Sequence, residues 1–280
     1  FHTDSVLLAP FGMVRPSIAL LAAGPCSALA LSLPLLTAGA SPAAAKGCQA
    51  PMQGRYAVMG MGTVGNPTKT TPEARLLEER WLPGGAVEGH TVERLGRNPR
   101  SGHYRGTVRM VGTCLVRVER QLPWGQQVSE AVIDGRGRPL YSLDRTPGTV
   151  ISSRWLPMAS GRCKVSDLDG VVLSSQVGLN GQQARSGWSP NAVIQREQWS
   201  DGSVNGIALS SYGGVGSTAS YSGRLKLDPD SCWGDLVEQD AKGVNYTYRA
   251  LVVNGRNGAR GYLYLQSDPD NLTVGWLVRD

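Results

Sequence analysis

Residues 72–81 read PEARLLEERW and residues 190–199 read PNAVIQREQW, each a proline nine residues ahead of a tryptophan. Turn formers follow both tryptophans: Pro83-Gly84-Gly85 after Trp81 and Asp201-Gly202 after Trp199. Further out, Tyr104-Arg105-Gly106 leads to Cys114, and Tyr221-Ser222-Gly223 leads to Cys232. Asp134-Gly135-Arg136 matches Asn254-Gly255-Arg256, and Leu143, Pro147 and Trp155 match Leu265, Pro269 and Trp276. The separations are 115 for Cys48 and Cys163, 118 for Trp81 and Trp199, and 117 for Tyr104 and Tyr221; they are 118 for Cys114 and Cys232 and 121 for Trp155 and Trp276. Slow drift of this kind is the trace of short loop insertions in a duplicated unit. The period is far above the roughly 20–50 residues of stacking repeats, so each copy is a domain.

Within a copy the apolar residues alternate, the period of a half-buried strand. Tyr104, Gly106, Val108 and Met110 oppose Arg105, Thr107 and Arg109; Leu272, Val274, Trp276 and Val278 oppose Thr273, Gly275 and Arg279. About eight short strands fit in each copy, and no stretch has a convincing helical stripe. Eight antiparallel strands hide their edges best by closing, so a lipocalin-like barrel is favoured over an open sandwich. The expected chain is all-β: a barrel over residues 46–160 and a second over 161–280, the second carrying a complete strand set and expected to fold by itself.

Residues 1–45 read differently. Arg15 follows Met13, an apolar run spans Ile18 to Leu36, and small residues lead to Ala43 and Ala45. That is the pattern of a secretory signal peptide cleaved after Ala45, with Met13 as the initiator. The remainder holds no run of about 20 apolar residues, so no transmembrane segment is expected after cleavage. Localisation is then periplasmic or extracellular, where disulfides persist. Cys26 lies in the leader, leaving Cys48, Cys114, Cys163 and Cys232. Four cysteines allow three pairings. The duplication selects Cys48–Cys114 and Cys163–Cys232, since each copy owns one early and one central cysteine. A metal site is the rival reading, but there is no C-x-x-C and little histidine nearby.

Each copy resembles an uncharacterised secreted bacterial domain family, broadly lipocalin-like. The resemblance rests on Cys48, Gly54-Arg55-Tyr56, Cys114 and Thr146-Pro147-Gly148-Thr149-Val150 in the first copy. In the second it rests on Cys163, Gly170-Val171-Val172, Cys232 and Ser267-Asp268-Pro269-Asp270. The first copy lacks the Asp before its Pro; the second lacks the tyrosine and the Gly-Thr-Val. The resemblance implies fold and export, and no activity.

Candidates for chemistry are few. His90 and His103 have no counterparts in the second copy, and His103 beside Gly102 reads as part of a surface turn. Gly60-Met61-Gly62-Thr63-Val64-Gly65 fits the dinucleotide fingerprint, but no helix follows it. Asp167-Leu168-Asp169 and Asp228-Pro229-Asp230 lack the ligand spacing of a calcium loop. No catalytic set, metal site or cofactor is therefore expected. Trp81, Trp155, Trp199 and Trp276 either line an apolar ligand cavity or plug the barrel cores.

Charge separates the copies. Residues 46–160 hold 16 Lys and Arg against 9 Asp and Glu, whereas residues 161–280 hold 11 against 12. Arg105, Arg109 and Arg117 fall on outward positions of consecutive strands, with Arg94, Arg97, Arg100 and Arg120 near in sequence. Such a face attracts an acidic glycan or an anionic lipid surface; without interleaved aromatics it does not suit specific nucleic-acid binding. The bland alternative is solvated strand surface. The expectation is an exported, non-catalytic binding module whose first domain contacts acidic surfaces through arginine. Its rivals are a carrier of a small apolar ligand and a cyclase- or isomerase-type enzyme using a barrel cavity.

Overall fold

The computed structural model describes residue 48 and residues 52–66, 68–158, 161–181, 187–254 and 260–279. The expected signal peptide and its cleavage site lie outside the described residues, as does the Gly255-Arg256 turn.

The chain folds as two closed, eight-stranded antiparallel barrels in tandem. The first consists of β1 (Gly54–Asn66), β2 (Lys69–Trp81), β3 (Ala86–Leu95), β4 (Asn98–Gly112), β5 (Leu115–Leu122), β6 (Gly125–Ile133), β7 (Pro139–Asp144) and β8 (Thr149–Pro157). Neighbours in sequence pair, and β8 closes on β1. The second repeats the plan with β9 (Gly170–Asn180), β10 (Ser189–Ser200), β11 (Ser203–Tyr212), β12 (Val215–Leu227), β13 (Trp233–Asp240), β14 (Asn245–Asn254), β15 (Arg260–Gln266) and β16 (Asn271–Val278), with β16 closing on β9. The strands of the first barrel end at Pro157 and those of the second begin at Gly170.

Local sequence accounts for the strands. In β10, Asn191, Val193, Gln195, Glu197 and Trp199 are buried while their neighbours are exposed, the two-residue period of a pleated wall. Asp201 and Gly202 join β10 to β11 with φ of 45° and 75°, the doubly positive geometry of a type I′ hairpin. Cys48 bonds to Cys114 and Cys163 to Cys232, the pairing the duplication selects. Cys114 and Cys232 both have positive φ, 55° and 62°, so even the strained turn before β5 and β13 is duplicated.

Alternation fails on β1 and β2, where Ala57, Val58 and Met59, and Ala74, Leu76 and Leu77, are all buried. Both faces of these strands are covered. Their outward Ala57, Met59, Ala74 and Leu76 pack against Leu251, Val253, Leu263, Leu265, Leu272 and Val274 on the outer wall of the second barrel. Polar contacts extend this seam. Arg94 donates to the carbonyls of Ser267 at 2.6 Å and Pro269 at 2.8 Å, and Arg97 pairs with Asp270 at 2.6 Å. The Trp233 indole donates to Glu78 at 3.0 Å, and Arg55 bridges Glu78 and the Ser231 carbonyl. The two barrels thus belong to one compact unit rather than standing as beads on a linker.

Candidate functional site

Glu79 and Trp81 lie two residues apart on β2, so both point into the first barrel. The Trp81 indole donates to Glu79 at 2.7 Å, and the Tyr104 hydroxyl donates to the same carboxylate at 2.8 Å. The second barrel repeats this group: the Trp199 indole donates to Glu197 at 2.6 Å. Tyr104 and Tyr221 each lay their ring across a glycine of the next strand, Gly89 and Gly206, where a side chain would collide with the ring. The sequence signal for the pair, glutamate two residues ahead of the repeated tryptophan, stands in both copies. A lone glutamate near a tryptophan carries no chemistry by itself, so the spacing gains meaning only from the shared inward face.

The barrels part company one strand further on. Gly106 is paired in register with Arg120, and its counterpart Gly223 is paired with Glu238. In the first barrel the Arg120 guanidinium bonds Glu79 and donates to Ser129 at 2.8 Å, with its centre 5.7 Å from the Trp155 ring. In the second, Glu197 therefore faces another carboxylate. Two more arginines vanish in the same way. Register pairs Arg75 with Glu93 and Glu93 with Arg100; the matching ladder is Val193 with Ser210 and Ser210 with Ser217. Arg75 bonds Asp144 at 2.9 Å, and Arg100 bonds Glu93 at 3.0 Å and Glu73 at 3.2 Å, so the upper first barrel holds a network of opposed charges.

With Arg75, Arg100 and Arg120 replaced by Val193, Ser217 and Glu238, the second barrel keeps a cavity of about 270 Å³. Its walls carry Tyr212, Tyr221, Tyr246 and Tyr248, with Gln176, Gln195 and Glu238 projecting into it. Exposed Ser217, Lys242 and Val244 line it too, so it is a cup open to solvent. Below lie Trp199, Tyr262, Leu236 and Leu277, underpinned by Leu168 from the short 3-10 turn Val165–Leu168.

Glu197 and Glu238 are only 1% and 4% exposed. Burial pushes the Glu238 carboxyl well above its ordinary range, and the charge of Glu197 pushes it further; hydrogen bonding from Tyr248 and Gln195 opposes the rise. Burial also raises Glu197, against the indole of Trp199 and nearby hydroxyls. The phenols of Tyr248, Tyr262 and Tyr264 are held well above 10, first by burial and then by these carboxylates. The Tyr221 hydroxyl feels the charge of Glu197 but makes no hydrogen bond of ordinary geometry, although it is buried. That contrasts with Tyr104, whose hydroxyl is bonded.

The four tryptophans do not form one set. Trp81 and Trp155 pack with Tyr56 in the floor of the first barrel, with ring centroids 5.3–6.0 Å apart, and Trp199 occupies the floor of the second. Trp276 lies on the outer wall, in the seam, with the Arg154 guanidinium over its ring at 5.4 Å. Matching Trp155 with Trp276 was one residue out of register. Leu143 pairs with Ser152 and Leu265 with Val274, so Trp276 corresponds to Arg154 and Leu277 to Trp155. A slip of one residue moves a side chain to the other face.

Arg105, Arg109 and Arg117 do point outward, and Arg109 is the register partner of Arg117. Arg109 pairs with Glu119 at 3.5 Å and Arg117 with Glu130 at 2.7 Å; among the described residues Arg105 makes no ion pair. The neighbouring arginines do not join that face: Arg94 and Arg97 belong to the seam, and Arg100 and Arg120 to the barrel interior. His103 is not in a turn. It sits on β4 opposite His90, rings 4.8 Å apart, and His90 packs edge-on to Trp233 at 5.3 Å. Burial there, with the charges of His103 and Arg249, lowers the pKa of His90. Gly60 to Gly65 run along β1, and the next described element is strand β2 rather than a helix.

No helix among the described residues is long and apolar enough to cross a membrane. No protein-family model matches the chain, and no curated protein matches it either.

Proposed function

We propose that the protein is an exported binding module in which the second barrel holds a small ligand in its cup, while the first is a self-satisfied barrel that buttresses it. One observation carries the reading. At the three positions where the first barrel closes its interior with arginine, the second has Val193, Ser217 and Glu238, and open volume results. At about 270 Å³ the cup lies just below the roughly 300–1,000 Å³ of ligand pockets in general, which restricts it to a small ligand. Export is supported by two disulfides, which persist in oxidising compartments, and by the leader-like residues 1–45. The arginine face is the weaker site, because two of its three arginines already have carboxylate partners.

Amide spectra of the labelled full chain, titrated with mixtures of small polar and apolar fragments, test the proposal. Shifts should gather at Gln176, Ser210, Tyr221 and Tyr248. Shifts confined to Arg105, Arg109 and Arg117 on adding heparin fragments would reverse it in favour of surface binding. A second reading draws on Glu238 alone: a buried carboxyl beside a phenol, raised in pKa, is equipped for proton transfer, as an isomerase or cyclase requires. Under that reading Glu238→Gln abolishes turnover of a bound substrate yet leaves its affinity within a few fold.

A further inference from the structure

We propose that the ligand of the second barrel is a small organic cation, whose ammonium or guanidinium group lies between Glu197 and Glu238 where the Arg120 guanidinium lies in the first barrel. The inference rests on the cup being the binding site. Its warrant is the comparison of two copies of one fold. The Glu–Trp–Tyr group is common to both, and in the first copy it is completed by a cation from the chain itself. The second copy keeps the carboxylate and adds another at the arginine's own position, and among the described residues no base bonds or pairs with either. Among the described residues the groups facing the pair are Trp199, Ser174, Gln195, Tyr221, Tyr248, Tyr262 and Tyr264, none of them cationic at neutral pH. Lys242 and Asp240 also line the cup, where Lys242 is exposed.

Three further features suit an organic cation. Burial holds both carboxyls toward their protonated forms because ionising them without a counter-charge is costly, and a cation with donors for both supplies that counter-charge far better than water does. The tyrosine walls present π faces, which attract cations within about 6 Å of a ring. The first barrel already uses such a contact, Arg120 over Trp155 at 5.7 Å. Finally, the Tyr221 hydroxyl lies against Glu197 without a bond of ordinary geometry, and its oxygen can accept an N–H from a ligand.

Titration calorimetry on the full chain uses butylguanidinium and butylammonium as probes, with butanol and butyrate as controls. The cations should bind and the controls should not. Glu238→Gln should weaken the cations at least about 30-fold, the equivalent of the roughly 2 kcal/mol lower bound for losing one partner of a buried charge pair. Glu238→Arg should abolish binding, since the chain then supplies its own guanidinium; its melting curve reports whether it folds, and Glu238→Gln carries the test if it does not. Arg117→Gln should leave binding unchanged. A blocked arginine peptide separates the sources: binding as tight as butylguanidinium makes the ligand a protein side chain, and its exclusion makes it a free small molecule. If butanol or butyrate binds as well as the cations and Glu238→Gln changes nothing, the cation inference fails while the cup remains a binding site. If no probe binds and the fragment titration leaves the cup unshifted, both fail.

Discussion

Arg120 and Glu238 occupy the same place in two copies of one barrel, yet the first pairs with a buried carboxylate and the second sets acid against acid. Around Arg120 the interior closes on itself: Glu79, Arg75, Asp144, Arg100, Glu73 and Glu93 all find partners. Around Glu238 the partners are phenols and amides, and room is left over. Backbone register is the same, so the difference owes nothing to the scaffold. A strand's two-residue period aims a side chain inward whatever its chemistry, and a few inward substitutions can turn a filled barrel into a receptive one.

The largest expected effect breaks the comparison at its centre. Arg120→Gln leaves Glu79 buried without its cation and should cost about 3–5 kcal/mol in urea unfolding. Glu238→Gln, at the matching place, removes a like charge and should be neutral or stabilising. Equal losses in both variants would mean that the two interiors are energetically alike.

Next in size is the seam. Leu263→Ala removes a fully buried side chain that touches the other barrel, and about 2–4 kcal/mol should be lost. The sequence suggested that residues 161–280 fold alone. Their strand set is complete, but by themselves they present Leu251, Val253, Leu263, Leu265 and Leu272 to water. We expect that fragment to self-associate, as large exposed apolar patches do. A monomeric fragment with one cooperative melt, seen by sedimentation and circular dichroism, would show that the seam is dispensable.

Acidity offers a subtler separation. Glu197 and Glu238 have folded pKa values raised above the ordinary 4.5. Over the interval above 4.5 the unfolded chain releases protons that the folded chain keeps, so this part of the stability is present at acid pH and lost as pH rises. The slope is up to about 1.4 kcal/mol per pH unit for each retained proton. Glu73 in the first barrel, pushed up to about 7 chiefly by burial, adds a part of the same sign that ends near there. In a Glu73→Gln background, subtracting the Glu238→Gln curve from its parent should leave a contribution that declines with pH above 4.5. A flat difference would place the pair in a wetter site than the burial implies.

The barrels were legible because their signals are local or repeated. Hairpin residues such as Asp201-Gly202 declare positive φ, and duplication reduced three cysteine pairings to one. The cup was not legible, since it depends on which residues stand opposite one another across strands. Counting charge made Arg94, Arg97, Arg100 and Arg120 one basic face with Arg105, when strand parity and the seam send them elsewhere. Trp276 misled for a related reason: sequence likeness aligned it with Trp155, and only the pairing of Leu265 with Val274 shows the shift.

The smallest effect concerns the arginine face. Replacing Arg105, Arg109 and Arg117 together by Gln breaks the exposed pairs with Glu119 and Glu130, and such pairs contribute about 0–1 kcal/mol each. Stability should therefore move by no more than about 1–2 kcal/mol. Binding to anionic vesicles should be weak in the parent, because Glu119 and Glu130 lie among the arginines and partly cancel their field. Attraction between exposed charges also fades beyond a Debye length of about 10 Å at 0.1 M salt. Vesicle sedimentation across a salt series should show a shallow dependence that the triple variant barely alters. Steep, salt-sensitive binding lost in the variant would instead make the first barrel a surface-contacting domain, and the two copies would then differ in having two separate sites rather than one.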